Sequence, residues 1–449
     1  MSALVLFAVF FILVFVGFPI AISLGLSSIV VLLLLDGVSG LEVIGDIMYT
    51  SIAKFTLLAI PFFILTGVIM EHSGISRKLI DLADALVGHY KSGIVFITAL
   101  VGIFFAAISG SGPATVAAIG GILIPALVKN GYKKETAAGL VASTGSIGII
   151  IPPSIAFIVF AVVAGDQIPI SIGRLFIAGI IPGILLGIGL VIATMIIRWR
   201  NDRKNSSNLE GEIEKDTAVR ARREKASAKE VGKAFIDALW GLLVPIIILG
   251  GIYGGIFTPT EAAVVSVFYG LFVGVFIYRT LNIKKLYSIF IEASVQTAII
   301  MFVVSTASIF AYIITTERYA KDISDLLLNV SDNPIIILLL INIILLIAGA
   351  FIDAISAFYI FVPILLPVII HLDVDPTVFG VFMTVNLAIG LFTPPVGLNL
   401  YVASGISNSS LLSVSRGIVP FLIVAIIVLL LITYIPFFST FLPNLLNVQ

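Results

Sequence analysis

The chain has 449 residues, 60% of them hydrophobic and only 11% charged, with a mean hydropathy of +1.21. Soluble domains use roughly 45–50% apolar and roughly 25% charged residues, so a water-soluble fold could not bury this much apolar surface. The 25 basic and 25 acidic residues cancel, which gives no basis for nucleic-acid binding, and the lack of cysteine excludes disulfides and thiol chemistry.

The first apolar run, residues 3–35, has no Lys or Arg before it and no small-residue cleavage site. It reads as a permanent span rather than a removable signal, and Gly17-Phe-Pro-Ile20 can divide it in two. Later runs at 179–197, 239–257 and 418–438 approach or exceed the roughly 20 residues that cross a hydrocarbon core. These runs are apolar all round and punctuated by Gly and Pro, whereas a membrane β-barrel alternates with period two. The expected fold class is an all-α polytopic membrane protein of the bacterial inner membrane.

Between the runs, residues 198–233 hold 11 of the basic residues and seven acidic ones. The positive-inside rule places this segment in the cytoplasm, where it separates a first hydrophobic repeat, 1–197, from a second, 234–449. The halves share a register: Pro125 and Pro152 recur 242 residues later as Pro367 and Pro394. Each first proline ends a pair of short apolar arms, 93–107 with 116–128 and 335–349 with 357–370, joined by small-residue tips at 108–115 and 350–356. Arms too short to span predict re-entrant helical hairpins, 93–129 and 335–371. The first base, Lys129-Asn-Gly-Tyr-Lys-Lys134, is basic, and the second, His371-Leu-Asp-Val-Asp-Pro376, carries no Lys or Arg. That asymmetry predicts opposite orientations, an inverted repeat.

After each hairpin a broken helix is expected, over 134–165 and 376–407, because paired prolines remove N–H donors and force the preceding residue out of the α region. Opened backbone is tolerable in a membrane where it lines a cavity or binds something, although a Gly/Pro kink alone is often only a packing feature. Asp353 stands in the second tip between apolar neighbours, where a carboxylate is costly unless paired or coordinated. Ser109, Ser111, Ser143, Thr144, Ser146, Ser154, Asn386, Thr393 and Asn399 offer uncharged oxygens, yet each hydroxyl can equally bond back to its own helix. Thr258-Pro-Thr-Glu261 reads as a capping box, and Lys54, Arg174, Glu292 and Arg416 as residues that reach the interface from span ends. The three scattered His, and the lack of a Walker lysine motif, a Ser/His pair or HExxH, leave neither a metal cluster nor an enzyme.

At these residues the chain resembles the large membrane subunit of the tripartite ATP-independent periplasmic (TRAP) transporters, of the DctM-like type in the ion-transporter superfamily. The motifs are Gly17-Phe-Pro-Ile-Ala21, Ser109-Gly-Ser-Gly-Pro-Ala-Thr115, the break from Ser143 to Ser154, Gly251-Ile-Tyr-Gly-Gly-Ile-Phe-Thr-Pro-Thr-Glu-Ala262 and Thr393-Pro-Pro-Val-Gly397. The resemblance implies an elevator in which hairpins and broken helices carry Na⁺ and a small organic anion past a scaffold. It implies two partners, a small four-helix membrane subunit and a periplasmic binding protein, with membrane lipid around them. A separate small subunit is expected because the chain opens on the large-subunit pattern. One Na⁺ site would use Ser109 and Ser111 with Ser143, Thr144, Gly145, Ser146 and Gly148. The other would use Asp353 and Ser356 with Asn386 and Gly390. The anion would lie between, near Ser109, Ser154, Thr393 and Asn399. C4-dicarboxylates are the default substrate, with sialic acid or another sugar acid next. A stand-alone Na⁺/dicarboxylate symporter, a passive channel and a structural membrane subunit remain alternatives.

Overall fold

The structure is a computed structural model that describes residues 2–90, 92–206, 226–331 and 333–448. These residues form α-helices with short 3₁₀ and π segments, and nine stretches among them are long and apolar enough to cross a membrane. Phe15, Ile246, Phe268 and Ile299 stand exposed on outward faces, an arrangement suited to lipid rather than water. The first apolar run is two helices, Ser2–Val16 and Ile20–Asp36, parted at Gly17 with φ +97° and at Pro19. The charged segment is helical at both ends, since Ile172–Ser206 runs into it and Ala228–Tyr253 starts within it; its middle, 207–225, lies outside the described residues.

The 242-residue register extends well beyond the prolines. Gly93–Ser109 and Gly112–Lys129 form the first hairpin, and Pro334–Gly349 with Ala354–His371 form the second at the shifted positions. The first broken helix is Lys134–Gly145, a 3₁₀ turn Ser146–Ile149, and Ile155–Ala164; the second is Pro376–Gly390 and Leu398–Ser407. Both breaks contain a cis proline pair, Pro152-Pro153 and Pro394-Pro395.

One expectation needs correction. The second arm of each hairpin has 18 residues, about 27 Å at 1.5 Å per residue, so shortness does not mark it as re-entrant. The arms lengthen because helix starts at the tip itself, with Ser111 and Asp353 as the residues before the first turns. What marks the first hairpin is its tip: Ile108, Ser109 and Gly112 are buried in protein, and the turn closes through Gly110 at φ +60°.

Packing interlocks the halves. Leu398–Ser407, beyond the second break, lies on Gly112–Lys129 and Lys134–Gly145 of the first half. Ile155–Ala164, beyond the first break, lies on Ala354–His371 and Pro376–Gly390 of the second. Phe160 meets Phe358 and Phe379 edge-on, with ring centroids 5.7 and 5.6 Å away. Such buried ring pairs lock the exchange through shape, since burial alone drives little association in lipid. A second group of helices packs together outside this unit: Ile20–Asp36, Ala59–His72, Ala228–Tyr253, Pro259–Phe272 and Ile283–Thr316. The last of these lies along Ala354–His371 and joins the two groups. Thr258 and Glu261 form the capping box that opens Pro259–Phe272.

Candidate functional site

The first tip is pressed into the first break. Ser109 Oγ lies 2.7 Å from Thr115 Oγ1, and both hydroxyls reach the Ser111 carbonyl, at 3.2 and 2.7 Å. A Cβ on Gly148 would come within 2.8 Å of that carbonyl oxygen and 2.9 Å of Thr115 Oγ1. One on Gly110 would come within 2.8 Å of the Pro153 carbonyl oxygen. Glycine is needed at both because backbone approaches backbone.

Around this contact the hydroxyls of the first break are buried and mostly self-satisfied. Ser143 Oγ donates to Gly139 and Leu140 carbonyls, Ser146 Oγ to Ser143, and Ser154 Oγ to Ile149 while it caps Phe157 N–H. Each hydroxyl that donates to its own helix keeps a lone pair free to accept. Thr144 Oγ1 is buried with no hydrogen-bond partner.

The second tip is built differently. Asp353 caps Ala354–His371: Oδ1 accepts from the Ile355 and Ser356 amides at 2.9 and 3.0 Å, and Oδ2 accepts from Ser356 Oγ at 2.6 Å. The carboxylate is half-buried and is held by donors on three groups, which offsets its desolvation. Asn386 does not join it. Its Nδ2 donates to Asn342 Oδ1 at 2.6 Å and to the Phe382 carbonyl at 3.0 Å. Thr433 completes that cluster, 3.2 Å from Asn342 Nδ2. Gly390 instead faces the end of the hairpin arm, where a Cβ would meet the Gly349 carbonyl.

Between the two regions Asn399 crosses the halves. Its Nδ2 donates 2.9 Å to the Ala142 carbonyl, and its Oδ1 is buried with no partner. A Cβ on Gly112 would lie 3.1 Å from that oxygen, and one on Gly145 3.4 Å from Nδ2, so Asn399 sits against the first tip and the first break together. Thr393 is partly buried and donates to the Ile389 carbonyl. The sequence candidates omitted Thr115, Asn342 and Thr433. A lone amide in the apolar arm 335–349 was the available signal for Asn342. For Thr115 and Thr433 no signal separates them from ordinary helix-bonded threonines.

What these groups offer is neutral, hard oxygen: hydroxyls, amide oxygens and backbone carbonyls, with one carboxylate. That donor set suits a monovalent cation such as Na⁺, and three of its buried oxygens, on Thr144, Asn386 and Asn399, lack any partner. Among the described residues no group of three or more His, Cys, Asp or Glu could hold a metal ion.

Residues 7–438 match the family described as tripartite ATP-independent periplasmic transporter, DctM component. The chain is similar to the C4-dicarboxylate TRAP transporter large permease DctM of Rhodobacter capsulatus, 36% identical over the whole of both proteins. It is likewise similar to that of Pseudomonas aeruginosa, 41% identical over 95% of each. It is 43% identical to the isethionate TRAP transporter permease DctMQ of Oleidesulfovibrio alaskensis, matching 96% of this chain and spanning 65% of that longer protein. Among solved structures, the fold is similar to the YdaH transporter of Alcanivorax borkumensis, with TM-score 0.62, 13% identity and 89% of both chains covered. A match along nearly the whole chain, with relatives of equal length, places the protein in the DctM component family of tripartite ATP-independent periplasmic transporters, as a multi-pass large permease of the inner membrane.

Proposed function

We propose that this permease carries out Na⁺-coupled uptake of a small organic anion, handed over by a periplasmic binding protein, in complex with a small membrane subunit. The observation that supports it most is the pair of breaks in one register, each closed against a hairpin end and each bearing a buried oxygen without a partner, Thr144 and Asn386.

In this reading residues 1–197 and 234–449 are inverted repeats joined by the charged segment 198–233 on the cytoplasmic side. The hairpins and broken helices move as one carrier body, and the long helices outside it form the scaffold. Bound Na⁺ supplies the driving force and a positive field for the anion. Ser109, Ser111, Thr115 and the backbone at Gly148 would hold one ion. Asp353 caps its hairpin helix with a carboxylate whose remaining lone pairs can serve a second site. Asn399 and Thr393 stand beside the N-terminus of Leu398–Ser407, whose positive dipole end attracts a carboxylate or another anion. Relatives are named for C4-dicarboxylates, sialic acid and isethionate, so the substrate class is a small organic anion, with a C4-dicarboxylate as the first candidate.

Uptake of radiolabelled organic acids into proteoliposomes containing this chain and its small subunit tests the reading. Uptake that needs both an inward Na⁺ gradient and the binding protein supports it. Uptake that needs the gradient alone would make the protein a stand-alone symporter, and uptake that needs neither would make it a channel.

A further inference from the structure

We propose that Asn342, in the first arm of the second hairpin, is a positioning residue that aims the side-chain oxygen of Asn386 at a monovalent cation. The inference rests on the sodium-coupled reading above and adds to it a residue outside the tips and breaks.

Asn342, Asn386 and Thr433 are 1%, 0% and 3% exposed, a polar cluster wholly inside the apolar body. Its donors and acceptors can be assigned in one way. Leu338 offers a carbonyl, an acceptor only, 2.9 Å from the Asn342 amide group, so that group is Nδ2 and the opposite atom is Oδ1. Asn342 Oδ1 lies 2.6 Å from Asn386, which must therefore present Nδ2 to it. The Phe382 carbonyl, 3.0 Å away on the same side, requires the same orientation. Turning the Asn386 amide over would set oxygen against oxygen twice. Its Oδ1 is thus held on the far side, buried, and no described residue donates to it. An acceptor left bare in an apolar interior is costly, so the arrangement points to a ligand that is a donor or a cation.

The surroundings favour a cation. Asn386 is one turn from the end of Pro376–Gly390, and Gly390 touches Gly349 at the end of Pro334–Gly349. Two helix C-termini, the negative ends of their dipoles, therefore meet one turn from Asn386. Partial charges of this kind suit one positive charge, and no acidic cluster that would call for a divalent ion lies among the described residues. The first half repeats the device with different chemistry. Thr144 stands 242 residues before Asn386, in the last turn of Lys134–Gly145, with its own hydroxyl oxygen buried and bare. In the second half the residue that bears the bare oxygen also donates its amide nitrogen to a side chain on the neighbouring hairpin arm, and that side chain is Asn342.

The test is thermal unfolding of the purified complex with its small subunit in detergent, titrated with NaCl at constant ionic strength against KCl, without substrate. Wild type should gain Tm with Na⁺. Asn342→Leu should raise the Na⁺ concentration for half the gain by roughly tenfold, the low end for loss of a residue that orients a ligand. Thr433→Val, which leaves the Asn342 to Asn386 hydrogen bond in place, should lower the Na⁺-free Tm and leave the half-point unmoved. If Asn342→Leu does not fold, Asn342→Ser, too short to reach Asn386, reads the same titration. An unchanged half-point in the Asn342 variants would overturn the positioning role and leave water as the partner of Asn386. Absence of any Na⁺-specific gain in wild type would instead overturn the sodium reading itself.

Discussion

Asn399 donates its side-chain amide to the backbone carbonyl of Ala142 at 2.9 Å, tying the helix beyond the second break to the helix before the first. The two residues are 257 positions apart, and both are buried. One hydrogen bond thus couples the two halves beside the first break, and the same side chain keeps a buried oxygen without a partner. Asn399→Ala should lower stability by about 1–3 kcal/mol, because Ala142 loses a buried donor. Uptake should fall further than the loss of folded protein explains. Differential scanning fluorimetry together with uptake per folded molecule separates the two effects.

The glycines at the breaks give a steric prediction. Gly148→Ala would drive a methyl to within 2.8 Å of the Ser111 carbonyl, and Gly390→Ala would do the same against Gly349. Neither neighbour is a flexible side-chain end, so the tip and the break must separate, at about 1–3 kcal/mol. Uptake should drop at least roughly tenfold in both variants. Gly121→Ala, on the first hairpin but with open space around it, should transport as wild type.

Asp353 can be tested as a cap and as a charge separately. Asparagine is an equally good N-cap, so Asp353→Asn should keep the unfolding free energy within about 0.5 kcal/mol of wild type. If the carboxylate helps hold Na⁺, the Na⁺ concentration needed for half-maximal uptake should rise several-fold, roughly in line with loss of one charge-assisted ligand. Asp353→Ala should show the same rise and an additional stability loss of about 1 kcal/mol. An Asn variant with wild-type Na⁺ dependence would reduce Asp353 to a cap.

Thr258 serves as the contrasting case. Its hydroxyl caps Glu261 N–H, and Glu261 returns the bond to the Thr258 amide, at the start of a helix that packs on Ala59–His72 and Ala228–Tyr253. Thr258→Ala should cost about 1 kcal/mol in chemical denaturation and leave the Na⁺ dependence of uptake unchanged.

Much of this protein was legible before any coordinates. Runs such as 418–438 are apolar on every side, which only a membrane helix can accommodate, and four prolines at one spacing exposed the repeat. The capping box at Thr258 was legible for the same local reason: its partners are three residues apart. Arm length was misread because tips rich in Gly, Ser and Ala look like loops, although the helix restarts directly at Ser111 and Asp353. Asn386 illustrates a different limit. It was a candidate partner for Asp353, but its amide faces Asn342, a residue 44 positions away on another helix.

The sequence by itself determined the solvent, the helical class, the two-fold register and the places where helices must break, because each follows from composition or from backbone chemistry within a few residues. Only the tertiary structure decided which oxygens remain free. A buried hydroxyl or amide takes the nearest partner that packing provides, so Ser143 donates to its own helix and Ser154 to the 3₁₀ turn before the break. Thr144, Asn386 and Asn399 are left with an oxygen bare. That choice depends on contacts between segments hundreds of residues apart, which no local pattern encodes.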